Sequence, residues 1–73
     1  MSSQAKRIAT CAIRAEFNEV LPVEIITADE DDRMIVFTAM GKTFKFTATA
    51  DPRKFSKLKW YAKKLWSLEE RSN

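Results

Sequence analysis

The apolar positions near the start of the chain recur at spacings of three and four. Ala5, Ile8, Ala9, Ala12, Ile13 and Phe17 fall on one side with Val20 continuing it, while Arg7, Thr10, Arg14 and Asn18 fall on the other. That spacing predicts an amphipathic helix from Ser3 to about Asn18. Alanines at 5, 9, 12 and 15 favour it intrinsically, and Ser2 or Ser3 offers a cap. Cys11, Ile13, Ala15 and Phe17 also alternate with Ala12, Arg14, Glu16 and Asn18, the period of a strand, so residues 10–17 admit both readings; helix is preferred.

Pro22 stops whatever precedes it, and the β-branched run Val23 to Thr27 predicts a strand. Asp29, Glu30, Asp31 and Asp32 then break the apolar pattern as a turn. Residues 33–39 and 43–49 flank Gly41, the only glycine in the chain, where a positive φ costs least, so they predict a hairpin. In the second of these strands Phe44, Phe46 and Ala48 alternate with Thr43, Lys45, Thr47 and Thr49, which gives the sheet one buried and one wet face.

Asp51 followed by Pro52 signals a helix start, because the carboxylate can cap free amides and proline at the first helical position loses no hydrogen bond. A helix from Pro52 to about Glu70 would place Phe55, Leu58, Tyr61, Ala62, Leu65, Trp66 and Leu68 on one arc as a core face. Trp60 would stand on the opposite arc among Ser56, Lys57, Lys63, Lys64, Ser67 and Arg71. The expected architecture is α+β: one domain over residues 1–73, a three-stranded antiparallel meander with an N-terminal and a C-terminal helix packed on one face.

Composition narrows this picture. A 73-residue chain buries only about 60% of its unfolded surface, so self-association or partner binding is expected to add stability. A hydrophobic fraction of 45% with 32% charged residues argues against both disorder and a membrane span. The lone cysteine, Cys11, excludes an intrachain disulfide and fits a reducing, cytoplasmic setting. Residues 1–15 hold Ser2, Ser3, Lys6, Arg7 and Arg14 with no acid, faintly like a transit peptide; a packed helix is preferred.

The net charge of +3 is unevenly spread. Residues 22–51 carry six acids against three bases, and residues 52–73 carry seven bases against Glu69 and Glu70. Between 53 and 64 there are six bases and no acid, the footprint of a surface that meets phosphate, an acidic protein or an anionic membrane.

Catalytic chemistry finds little to work with. The chain has no histidine, and Cys11 lies among helical alanines, so it reads as a packing residue and no catalytic residue is expected. The acidic run lacks the spaced ligands and central glycine of a calcium loop, so neither metal nor cofactor is expected. Gly41-Lys42-Thr43 matches only the end of a phosphate-binding loop and joins two strands, which discards it.

The order α–β–β–β–α, with Ser56, Lys57, Ala62, Lys63 and Lys64 in the last helix, is similar to that of a double-stranded-RNA-binding domain. Asp51-Pro52 stands where that family has a glycine-containing loop, and the first hairpin has an acidic tip, so no residue roles follow from the resemblance.

The sequence thus points to a small non-enzymatic interaction module, an inhibitor or adaptor of the kind viruses and mobile elements encode. It would bind an acidic protein through Arg53, Lys54, Lys57, Trp60, Lys63, Lys64 and Arg71, with Trp60 as the anchor. The alternative is a nucleic-acid-binding domain using the same residues, the lysines on phosphates and Trp60 stacked on a base. A membrane-surface helix anchored by Phe55, Leu58, Leu65 and Trp66 ranks lowest, since those residues are expected in the core. No small-molecule substrate is expected, and the sheet edges leave room for a homodimer.

Overall fold

The computed structural model describes residues 4–71. The elements are α1 (Ala5–Phe17), β1 (Glu24–Ala28), β2 (Met34–Ala39), β3 (Lys42–Ala48), a 3-10 turn (Pro52–Lys54), α2 (Lys57–Ala62) and β4 (Trp66–Arg71). The α+β class expected from the pattern is present, but the sheet has four antiparallel strands in the order β1-β2-β3-β4, not three.

Residues 10–17 are helical. Helix α1 buries Ala5, Ile8, Ala9, Ala12 and Ile13, the stripe that its spacing predicts, and its alanines let the axis approach the sheet closely. It starts after Gln4, whose side chain makes no cap bond; the expected caps Ser2 and Ser3 lie outside the described residues. It ends at Asn18, which adopts φ 59° and donates its N–H to the Arg14 carbonyl at 2.8 Å. The far end of the stripe is less covered: Phe17 is partly exposed, with an edge-on contact to Phe44 at 6.0 Å, and Val20 is exposed.

The hairpin around Gly41 forms as expected. Ala39 pairs with Lys42, leaving a two-residue turn in which Met40 (φ 57°) and Gly41 (φ 72°) are both left-handed. That is a type I′ turn, whose twist matches the flanking strands. The acidic turn is more ordered than a solvated loop: Asp29 Oδ1 accepts from the Arg33 amide at 2.8 Å, and Asp32 is only 4% exposed. Alternation then sorts the sheet. Ile35, Phe37, Ala39, Phe44, Phe46, Ala48 and Trp66 are buried under the helices, while Thr27, Val36, Lys45 and Glu69 form one cross-strand row on the open face.

The continuous helix expected from Pro52 to Glu70 does not form. Asp51 does cap at Pro52, accepting the Arg53 amide at 3.0 Å, but the turn it starts lasts three residues before Phe55 and Ser56 extend. Ser56 then caps α2, and Lys63 at φ 57° reverses the chain after six residues. The reason is the edge of β3. A helix would leave that edge open, whereas β4 pairs with it from Thr43↔Arg71 to Ala48↔Trp66 and puts Trp66 against Phe46 at 5.8 Å. With a strand following α2, the element order departs from that on which the resemblance to a double-stranded-RNA-binding domain rested.

Candidate functional site

Shortening the helix changes which face α2 turns to the sheet. Trp60 turns inward. Its ring lies 5.1 Å from Phe55, 5.9 Å from Phe46 and 5.7 Å from Trp66, and its carbonyl accepts the Trp66 indole N–H at 2.9 Å. The expected indole in a ring of ammonium groups is therefore a half-buried pillar holding α2 on the sheet. Leu58, expected in the core, is instead 80% exposed, and Tyr61 and Ala62 are exposed with it. Trp66 is buried as expected, with Phe55, Leu65 and Leu68 half-buried around it.

The seven residues expected to bind are not brought onto one surface. Arg53 is engaged by Asp51, Nε to Oδ1 at 2.9 Å and Nη2 to Oδ2 at 3.2 Å. These hydrogen bonds, with that from the Arg53 amide, lower the Asp51 carboxyl from its ordinary 3.8 to about 2, and the same contact raises Arg53. Lys63 Nζ donates to Glu16 Oε1 at 2.7 Å, fastening the end of α2 to the end of α1. Lys54, Lys57 and Lys64 are exposed and make no ion pair with a described residue, as is Lys59 between them. Arg71 is set apart, since it lies five positions after the buried Trp66 and so projects from the open face of the sheet.

Two features emerge on α2. On its outer side Leu58, Ala62 and Leu65, with Lys59 and Lys64, line a shallow groove of about 250 Å³. On its inner side a groove of about 200 Å³ runs between the helices, where Cys11, Arg14 and Ala15 of α1 face Lys57, Trp60 and Tyr61. Sequence reasoning missed Leu58, Lys59, Ala62 and Leu65 as a surface because helical phase alone put the apolar three in the core. It missed Arg14 because α1 and α2 meet only in three dimensions.

Cys11 is a free thiol, half-buried, in a chain with no histidine to activate it. Among the described residues no group of acidic, thiol or imidazole side chains is disposed to hold a metal ion. A concavity of about 780 Å³ beside the Gly41 hairpin is open and is lined by one carboxylate, Glu24, and one amine, Lys6. No described helix is long and apolar enough to cross a membrane. Comparison with protein families, with curated proteins and with solved structures finds no match.

Proposed function

We propose that this protein is a small non-enzymatic interaction module, an inhibitor or adaptor that docks an acidic protein partner on the outer side of α2. The observation that carries the reading is the exposure of Leu58, at 80% the most exposed large apolar side chain among the described residues. Leu58, Ala62 and Leu65 supply a dehydratable centre, and Lys59 and Lys64 frame it with positive charge. An apolar anchor inside a rim of one sign is how protein interfaces combine affinity with electrostatic steering. Lys54 and Lys57 extend the positive field, while Arg53 and Lys63 are engaged by Asp51 and Glu16 and Trp60 acts beneath the surface by holding α2 in place.

The nucleic-acid reading retains Lys54, Lys57 and Lys64 for phosphate and loses its stacking ring, because Trp60 faces Phe46, Phe55 and Trp66. The two readings separate in one experiment. Peptide display against the wild-type protein, counter-selected against Leu58→Asp, is expected to enrich sequences joining Asp or Glu to Leu, Phe or Met. Their affinity should survive added salt better than counterion release would allow. Enrichment indifferent to Leu58→Asp would refute the proposal. So would steeply salt-dependent binding of a mixed-sequence duplex that exceeds the affinity of any selected peptide.

A further inference from the structure

The two sheet edges differ. β1 interrupts its ladder with a bulge at Ile26, whereas β4 pairs with β3 in unbroken register along six residues and contains no proline. The phase of β4 is fixed by two hydrogen bonds: the Thr49 amide donates to the Leu65 carbonyl at 2.8 Å, and the Ala48 amide turns the other way, to the Arg33 carbonyl at 2.8 Å. Peptide groups alternate along an antiparallel strand, so those of Leu65, Ser67 and Glu69 face β3, and those of Trp66, Leu68 and Glu70 face the open edge. An unpaired row of this kind is a template for another strand.

We infer that β4 pairs with β4 of a second copy of this chain, antiparallel about a two-fold axis at Ser67. The argument is self-complementarity. Outward-facing groups must meet outward-facing groups, which restricts the axis to a residue and not to the gap between two. Centred on Ser67, Trp66 of each copy exchanges hydrogen bonds with Leu68 of the other, and both side chains lie on the helix-bearing face, where Leu68 is only half-buried in one chain alone. Ser67, the smallest side chain of β4, meets its own copy at the axis. Two residues further out on each side, just before β4 begins, Lys64 falls against Glu70, whose carboxylate already lies 3.9 Å from Lys42 of its own chain, giving two opposite-charge contacts from one sequence. An axis at Trp66 sets Lys64 against Leu68, one at Leu68 sets Trp66 against Glu70, and one at Glu69 sets two carboxylates face to face, so only the Ser67 register matches opposite charges. The arrangement closes on itself, joining two four-stranded sheets into one with the helices on a common face.

A single-strand contact falls below the roughly 1,200 Å² of stable interfaces, so the dimer is expected to be weak and is sought at submillimolar concentration. The test uses the protein alone, so its outcome is independent of whether an acidic partner binds α2. Sedimentation velocity and amide exchange are followed against concentration in wild type, Glu70→Lys, Lys64→Glu and the doubly reversed Lys64→Glu/Glu70→Lys. A dimer is expected in which the Trp66 and Leu68 amides gain protection in step with association, while Ser67 and Glu69 are protected at every concentration. Glu70→Lys should weaken association by about tenfold and the double reversal should restore it. Circular dichroism checks that each variant folds. Rapid exchange at Trp66 and Leu68 in a protein that stays monomeric overturns the inference. So does a dimer that ignores charge reversal or protects other amides, the result expected if copies associate through β1 or α2.

Discussion

Replacing Trp60 by alanine tests the inward indole directly, since an exposed anchor and a structural pillar give opposite results. As an exposed residue it would be dispensable for folding. In its observed place it touches three rings, Phe55, Phe46 and Trp66, at centroid separations of 5.1, 5.9 and 5.7 Å. Truncating a fully buried tryptophan costs about 3–5 kcal/mol, and aromatic pairs contribute about 0.5–1.5 kcal/mol each beyond the area they bury. Trp60 is half-buried, so the expectation is the lower end, about 3 kcal/mol. A domain of 73 residues has a total stability of about 4–11 kcal/mol, so the loss is a large share of it. The same figure converts to a fall in Tm of roughly 12–24 °C. Thermal and urea melts by circular dichroism measure it, with Leu58→Ala, on the same helix but 80% exposed, expected to stay within about 0.5 kcal/mol of wild type. The reasoning is refuted if Trp60→Ala melts with wild type, or if Trp60 in a Trp66→Phe background emits like free indole in water.

Substitutions at three further positions test the local geometry. Met40 sits at φ 57° in a type I′ turn, so Met40→Asn should raise stability by about 0.5–1 kcal/mol in a urea melt, and Met40→Val should lower it. Asn18 terminates α1 at φ 59°, so Asn18→Ala should cost about 1 kcal/mol while Asn18→Gly is tolerated. Asp51 is held at about 2 by Arg53, below its unfolded value near 3.8. A depressed carboxyl stabilises above the unfolded value and loses that contribution as pH falls through the folded one. Stability of wild type relative to Asp51→Asn should therefore be flat above pH 4 and decline between about pH 4 and pH 2. A difference that is constant across this window would show that the hydrogen-bonded pair with Arg53 does not persist in solution.

The parts of the fold that could be read from the sequence are those where only one period fits. Helix α1 has alanines and isoleucines at three- and four-residue spacing, and the β2–β3 hairpin has strict alternation around a lone glycine. The C-terminal segment carries two periods at once. Leu65, Trp66 and Leu68 continue a helical arc from Phe55, yet Trp66 and Leu68 also alternate with Ser67 and Glu69. Lysine, leucine, glutamate and arginine favour helix locally, and the break falls at Lys63, a residue with no special preference for positive φ. What decides is the unpaired edge of β3, a feature of the assembled sheet that no local window contains. The basic character of the candidate surface was legible for the same reason that its anchor was not: charge survives any rotation of the helix, whereas the identity of the outward apolar residue changes with phase.

That distinction bears on how much weight Leu58 can carry. Exposed apolar side chains are common, and several here have local explanations: Phe17 leans on Phe44, Ile26 occupies the bulge of an edge strand, Met34 opens β2 beside the acidic turn, and Met40 sits within the Gly41 turn. Leu58 has none of these. Helix α2 is too short to be stable by itself, and what holds it is the Ser56 cap, the Trp60 ring and the hydrogen bond from the Trp66 indole, all directed away from Leu58. Folding therefore asks only that position 58 tolerate a helix, a requirement that lysine or glutamate meets with no loss of burial. Leu58 stands next to Ala62 and Leu65 between two lysines that make no ion pair with a described residue, so the patch is contiguous and its rim has one sign. A scattered exposure lacks both properties, and an anchor for an acidic partner needs both.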